Sequence, residues 1–146
     1  MRSILLWMLS RLPGLINSSG NLAKVKYFMS NHIQRLQTSS RMSQVVIANG
    51  VVHLAGQVPG TTHASIAEQA TEVLARIDGL LASAGTDKTR LLTANIWLSD
   101  SRHFDEFNRV WDSWVPEGRA PTRACVQSLL MKAGLDVEIA VTALAR

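Results

Sequence analysis

Asn49-Gly50 lies between two apolar runs, Val45-Val46-Ile47-Ala48 and Val51-Val52-His53-Leu54-Ala55. Both residues tolerate positive φ, and Asn-Gly so flanked is the strongest short-range signal for a β-hairpin. This part of the chain is therefore committed to antiparallel strands, ended by Gly56-Gln57-Val58-Pro59-Gly60. Just upstream, Ile33-Gln34-Arg35-Leu36-Gln37 alternates and predicts one more strand before a loop at 38–41.

The periodicity then changes. Across residues 65–84, Ile66, Ala70, Val73, Leu74, Ile77, Leu80 and Leu81 recur at helical spacing, and Gly85 sits where a C-terminal cap is expected. Residues 91–98 read as a strand. Asp100 or Ser101 is placed to cap a second helix carrying Phe104, Phe107, Val110, Trp111 and Trp114, stopped by Pro116-Glu117-Gly118. Residues 122–130 and 135–144 read as the last two strands, joined by a turn at Lys132-Ala133-Gly134. The order predicts an α+β domain, a mixed sheet with two helices packed on one face. The other face is left to be covered, which oligomerisation would do, and clefts between subunits would then be natural sites.

The 146 residues suit one domain. A lone cysteine, Cys125, excludes an internal disulfide and fits a reducing compartment. The four histidines show no metal-ligand spacing, which argues against zinc. The formal charge of +4 suggests nucleic acid until its distribution is read. Residues 1–28 hold Arg2, Arg11, Lys24 and Lys26 and no acid. The remainder carries eleven basic residues against eleven acids. A formally neutral domain gives no electrostatic footprint for nucleic acid.

Residues 1–28 form an N-terminal extension expected to be disordered. Ile4-Leu5-Leu6-Trp7-Met8-Leu9 is too short to span a bilayer, and Arg11 and Pro13 interrupt the chain just beyond it. The segment has some features of a secretory signal and some of an organelle transit peptide. We favour a third reading, in which translation begins at Met29 and 29–146 is the domain. The expected location is then cytoplasmic, with no membrane partner.

Two charged residues sit in the C-terminal apolar segments: Arg123 within Ala120-Pro121-Thr122-Arg123-Ala124-Cys125-Val126, and Glu138 within Val137-Glu138-Ile139. On adjacent strands they would make a small anion site with a carboxylate beside it. From the pattern alone a structural ion pair is the more economical reading, because such charges are rarely buried unless paired or used.

With Leu54-Ala55-Gly56-Gln57-Val58 and the helix from Asn108 to Trp114, these segments resemble the RidA/YjgF family of enamine/imine deaminases. The resemblance runs in order from Ser43 to Ala143. It implies a chorismate-mutase-like α+β subunit and a homotrimer with sites at subunit interfaces. It also implies hydrolysis of 2-aminoacrylate-type enamines and imines to 2-keto acids and ammonia, without cofactor or metal. By resemblance Arg123 holds the substrate carboxylate, for which a planar guanidinium is suited. Glu138 orients the attacking water and can accept its proton. Ala55, Gly56, Cys125 and Asn108 line the pocket. At Cys125 the expectation is backbone and packing contact, since no histidine or lysine is placed to make a thiolate. Where many deaminating members carry a tyrosine, this chain has Met42, before Ser43-Gln44. The lost hydroxyl marks a divergent subgroup member and motivates an alternative, a non-catalytic trimer that binds small carboxylates. With the resemblance, Arg123 and Glu138 are read as functional residues that need not touch.

Trp97, Trp111 and Trp114 are read as packing residues at core-like positions, and His53 as a core or interface histidine. Family members linked to RNA cleavage find no counterpart in a nuclease constellation in this sequence.

Overall fold

A computed structural model describes residues 33–146. Expectations for the 1–28 extension and for a start at Met29 lie outside these residues. The described chain runs β1 (Gln34–Thr38), β2 (Ser43–Ala48), β3 (Val51–Leu54), α1 (Ile66–Ser83), β4 (Leu91–Leu98), α2 (Phe104–Trp114), β5 (Thr122–Gln127) and β6 (Val137–Leu144). The strands form one mixed sheet in the order β1-β2-β3-β6-β4-β5. All neighbours are antiparallel except β4 and β5.

The hairpin forms as expected. Ala48 pairs with Val51, and Asn49 and Gly50 take φ of 50° and 77°. Helix α1 opens on a capping box, in which Ser65 Oγ accepts from the Glu68 N–H and the Glu68 carboxylate accepts from the Ser65 N–H. It closes at Gly85, φ 72°, whose N–H donates to Ala82 O while the Thr86 N–H donates to Leu81 O. The apolar stripe of α1 packs with Val45, Val52, Ile96, Leu98, Ile139 and Val141 of the sheet. Burying each such side chain stabilises the domain by about 1.5–3 kcal/mol.

Several boundaries differ from the sequence reading. Helix α2 starts at Phe104, because a 3-10 turn at Ser101–His103 precedes it and Asp100 caps that turn. Strand β5 ends at Gln127. Beyond it Leu129 and Met131 are almost fully exposed, so their apolar character reflects no burial. The last two strands are not neighbours. β6 inserts between β3 and β4, where it pairs on both sides and buries alternate residues Val137, Ile139, Val141 and Ala143. Trp97 lies opposite Glu138 on the face away from the helices, rather than in the core. His53 is exposed on that same face, opposite Val46 and Thr142. Trp111 and Trp114 do pack together, with ring centroids 5.4 Å apart, and Trp114 Nε1 donates to Asp78 at 2.9 Å.

Candidate functional site

The two charged residues occupy opposite faces of the sheet. Residues directly opposed across strands share a face. Arg123 is opposed to buried Ala94, and Cys125 to buried Ile96, so both point toward the helices. Glu138 is opposed to Trp97 between buried Val137 and Ile139, so it points away. With β4 between their strands, one chain does not bring Arg123 and Glu138 together as a contiguous anion site, and they form no ion pair.

The Arg123 half is built on β5 and α2. Phe104, Phe107, Asn108 and Trp111 lie at helical spacing on one face of α2. The Arg123 guanidinium carbon sits 5.8, 5.6 and 5.2 Å from the ring centroids of Phe104, Phe107 and Trp111. One guanidinium N–H donates to Asn108 Oδ1 at 2.6 Å. Among the described residues no carboxylate pairs with this half-buried cation. The rings attract its charge and limit its hydration, which leaves its remaining donors suited to an incoming anion. Cys125, on the same face, is half-buried against the core, in keeping with a packing contact.

The Glu138 half is built on β6 and the segment after β3. Between the His53–Thr142 pair and the Gln57–Ile139 bridge, the β3 side advances four residues and the β6 side three. The extra residue is a bulge at Ala55-Gly56. It brings Gly56 so close to Glu138 that a Cβ there would lie 2.0 Å from Glu138 Oε1. Glu138 has no ion-pair partner among the described residues. Met42 stands just before β2, 43% exposed, its N–H and C=O both bonded to Ser39.

The loop after the bulge is tied to α1. The Glu72 carboxylate accepts from the Gly60 and Thr61 N–H groups at 2.6 and 3.2 Å, and Arg76 donates to Val58 O at 2.9 Å. The Gly60 and Thr61 bonds hold the Glu72 carboxyl below the usual carboxylate range. An open cleft at the far end of β4, rimmed by Arg90, Arg119 and Arg146, shares no residue with either half.

Residues 32–145 match the protein family described as Endoribonuclease L-PSP. The chain belongs to this family, the YjgF/RidA family. A RutC family protein of Haemophilus influenzae is 43% identical over 112 residues, 76% of this chain and 97% of that protein. The RutC family protein YoaB of Escherichia coli K12 is 40% identical over 111 residues, 76% of this chain and 96% of its own length. Among solved structures, a YjgF protein family member of Neisseria meningitidis, NMB1025, superposes with a TM-score of 0.77 at 44% identity, covering 80% of this chain and 97% of that one. The YjgF/RidA subunit has the chorismate-mutase-like fold, so the fold expected from the resemblance is the one observed. No described helix of this YjgF/RidA chain is long and apolar enough to cross a membrane.

The sequence reading named Arg123, Asn108 and Cys125 of one half and Met42, Ala55, Gly56 and Glu138 of the other. It did not name Phe104, Phe107 and Trp111 as the surround of Arg123, although their spacing with Asn108 on one helix held that information. It also passed over Gln57, a buried polar residue beside Ala55 and Gly56.

Proposed function

We propose that this protein hydrolyses 2-imino acids and their enamine tautomers, of the 2-aminoacrylate type, to 2-keto acids and ammonia. We infer a cytoplasmic homotrimer with each site at a subunit interface, its Arg123 half from one subunit and its Glu138 half from the next. Arg123, half-buried without a carboxylate partner among the described residues, carries the reading: a guanidinium fixed by an amide and three rings is suited to a substrate carboxylate. Glu138 on the facing surface orients water against the imine carbon and takes a proton as the C–O bond forms. That proton passes to nitrogen to give a carbinolamine, whose hydroxyl proton then moves to nitrogen as the C=O bond forms, the C–N bond breaks and ammonia leaves. An enamine substrate first gains a proton at its terminal carbon and loses one from nitrogen, which makes it the imine. Backbone groups at Ala55 and Gly56 and the side chains of Asn108, Cys125 and Met42 complete the pocket.

A pyridoxal-phosphate enzyme that releases 2-aminoacrylate supplies substrate for the test, and loss of the imine is followed by absorbance. Wild type is expected to accelerate the loss. Arg123→Ala is expected to lower kcat/KM by roughly 100-fold or more, since two charge-assisted hydrogen bonds contribute about 3 kcal/mol or more. Equal, slight acceleration by the two proteins would refute the reading.

Exposed Met42 supports a second reading, a non-catalytic trimer that binds small carboxylates, because a thioether supplies no proton. This reading expects thermal stabilisation by 2-keto acids that depends on Arg123, with no imine hydrolysis. Equal stabilisation by every anion would count against it.

A further inference from the structure

We propose that Gln57 is a positioning residue for the Glu138 half of the site, an inference that rests on the deaminase reading. Gln57 is 4% exposed, and a polar side chain so buried has to find partners inside the protein. Both N–H groups of its amide are used: one donates to Gln44 Oε1 at 2.8 Å, the other to Ala55 O at 2.9 Å. Its backbone completes the bridge to β6, N–H to Ile139 O at 2.8 Å and C=O from the Ile139 N–H at 3.0 Å.

These bonds reach three segments. Gln44 lies two residues beyond Met42 on β2. Ala55 adjoins Gly56 in the bulge. Ile139 follows Glu138 on β6. The Ala55 bond also spans the bulge, where the regular ladder is interrupted and the backbone has fewest partners of its own. Gly56 is the surface against which the Glu138 carboxylate rests, so its place decides where the carboxylate points. Gln57 therefore acts on the water-activating group through the backbone beneath it. Arg123, on the opposite face and supported by α2, has no contact with this network. Chemistry and carboxylate anchoring are thus expected to separate.

The experiment compares wild type, Gln57→Met and the double variant Gln44→Met/Gln57→Met in the imine-loss assay, with pyruvate binding measured by calorimetry and melting followed by circular dichroism. Gln57→Met keeps the volume and removes both donors, leaving Gln44 Oε1 without its partner. The double variant replaces both members by apolar groups, which is close to neutral for stability. Gln57→Met is expected to lower kcat by roughly 10- to 100-fold, the scale of a small misplacement of a reacting group, with pyruvate affinity within about twofold of wild type. The double variant is expected to recover the part of the melting temperature lost through unpaired Gln44 without recovering kcat, because the Ala55 bond is still missing. If it recovers both, or if Gln57→Met retains the wild-type kcat, the positioning role is overturned while the deaminase reading stands. If wild type itself fails to hydrolyse the imine, both fall. Should Gln57→Met not fold, the double variant decides alone.

Discussion

A Cβ at position 56 would lie 2.0 Å from Glu138 Oε1, 3.0 Å from its Cδ and 3.3 Å from its Cγ. The first distance is far inside van der Waals contact, and all three neighbours belong to one side chain. Position 56 therefore needs glycine for close approach by a carboxylate rather than for an unusual φ. A methyl group there would turn Glu138 aside while leaving the buried core untouched, since Glu138 is partly exposed on the open face. Gly56→Ala is accordingly expected to lower kcat by roughly 10- to 100-fold, as expected when a reacting group is displaced by about 1 Å. Its melting temperature should fall by only a few degrees, because side-chain rotation relieves the clash. Side-by-side turnover and melting measurements check this. An alanine variant that melts early and keeps its specific activity would mean that the glycine serves folding alone.

At the level of elements, the loop that carries this glycine onward depends on one helix. Glu72 of α1 receives the N–H groups of Gly60 and Thr61, and these bonds lower its pKa. A group whose folded pKa is depressed adds stability that is fully present above its unfolded pKa and lost as pH falls through the folded value. Protection of the Gly60 and Thr61 amides from hydrogen exchange should therefore hold near neutrality and fall below the ordinary glutamate pKa of about 4.3. Glu72→Gln should show the weaker protection at every pH. Exchange rates, corrected for intrinsic pH dependence, test this, and identical profiles for the two proteins would remove Glu72 as the anchor. Much at this level was legible in the sequence. Asn49-Gly50 specified its hairpin, and the stripe from Ile66 to Leu81 with Ser65 and Gly85 specified α1, because turn chemistry and helical period are local properties. The insertion of β6 between β3 and β4 was not legible, since it depends on which edges meet after collapse. The extension of β5 through Leu129 and Leu130 failed because apolar composition does not record exposure. Trp97 was misread because alternation shows that two faces exist without saying which one the helices cover.

At the level of the molecule, the two halves of the candidate site cannot both face one ligand within a single sheet, because Arg123 points toward the helices and Glu138 away from them. Placing the two residues on neighbouring strands hides this, while the strand order, with β4 between β5 and β6, makes it unavoidable. Two copies that bring the helix face near β5 of one against the open face near β6 of the other would unite the halves, and a closed ring of such heterologous contacts gives every copy the same environment. This arrangement makes a sharp prediction. Arg123→Ala and Glu138→Ala are each expected to be nearly inactive. Unfolded together in equal amounts and refolded, they form mixed rings in which some sites draw an intact arginine from one variant and an intact glutamate from the other. For random mixing about a quarter of the sites are restored, so activity should return to about 25% of wild type. If Arg123 and Glu138 of the same chain served one site, every site would stay defective and the mixture would be as inactive as its parents. Size-exclusion chromatography with light scattering shows whether rings formed. Full-size rings without recovered turnover would exclude a site shared between subunits, whereas recovery near a quarter would place the catalytic glutamate and the carboxylate anchor on different chains.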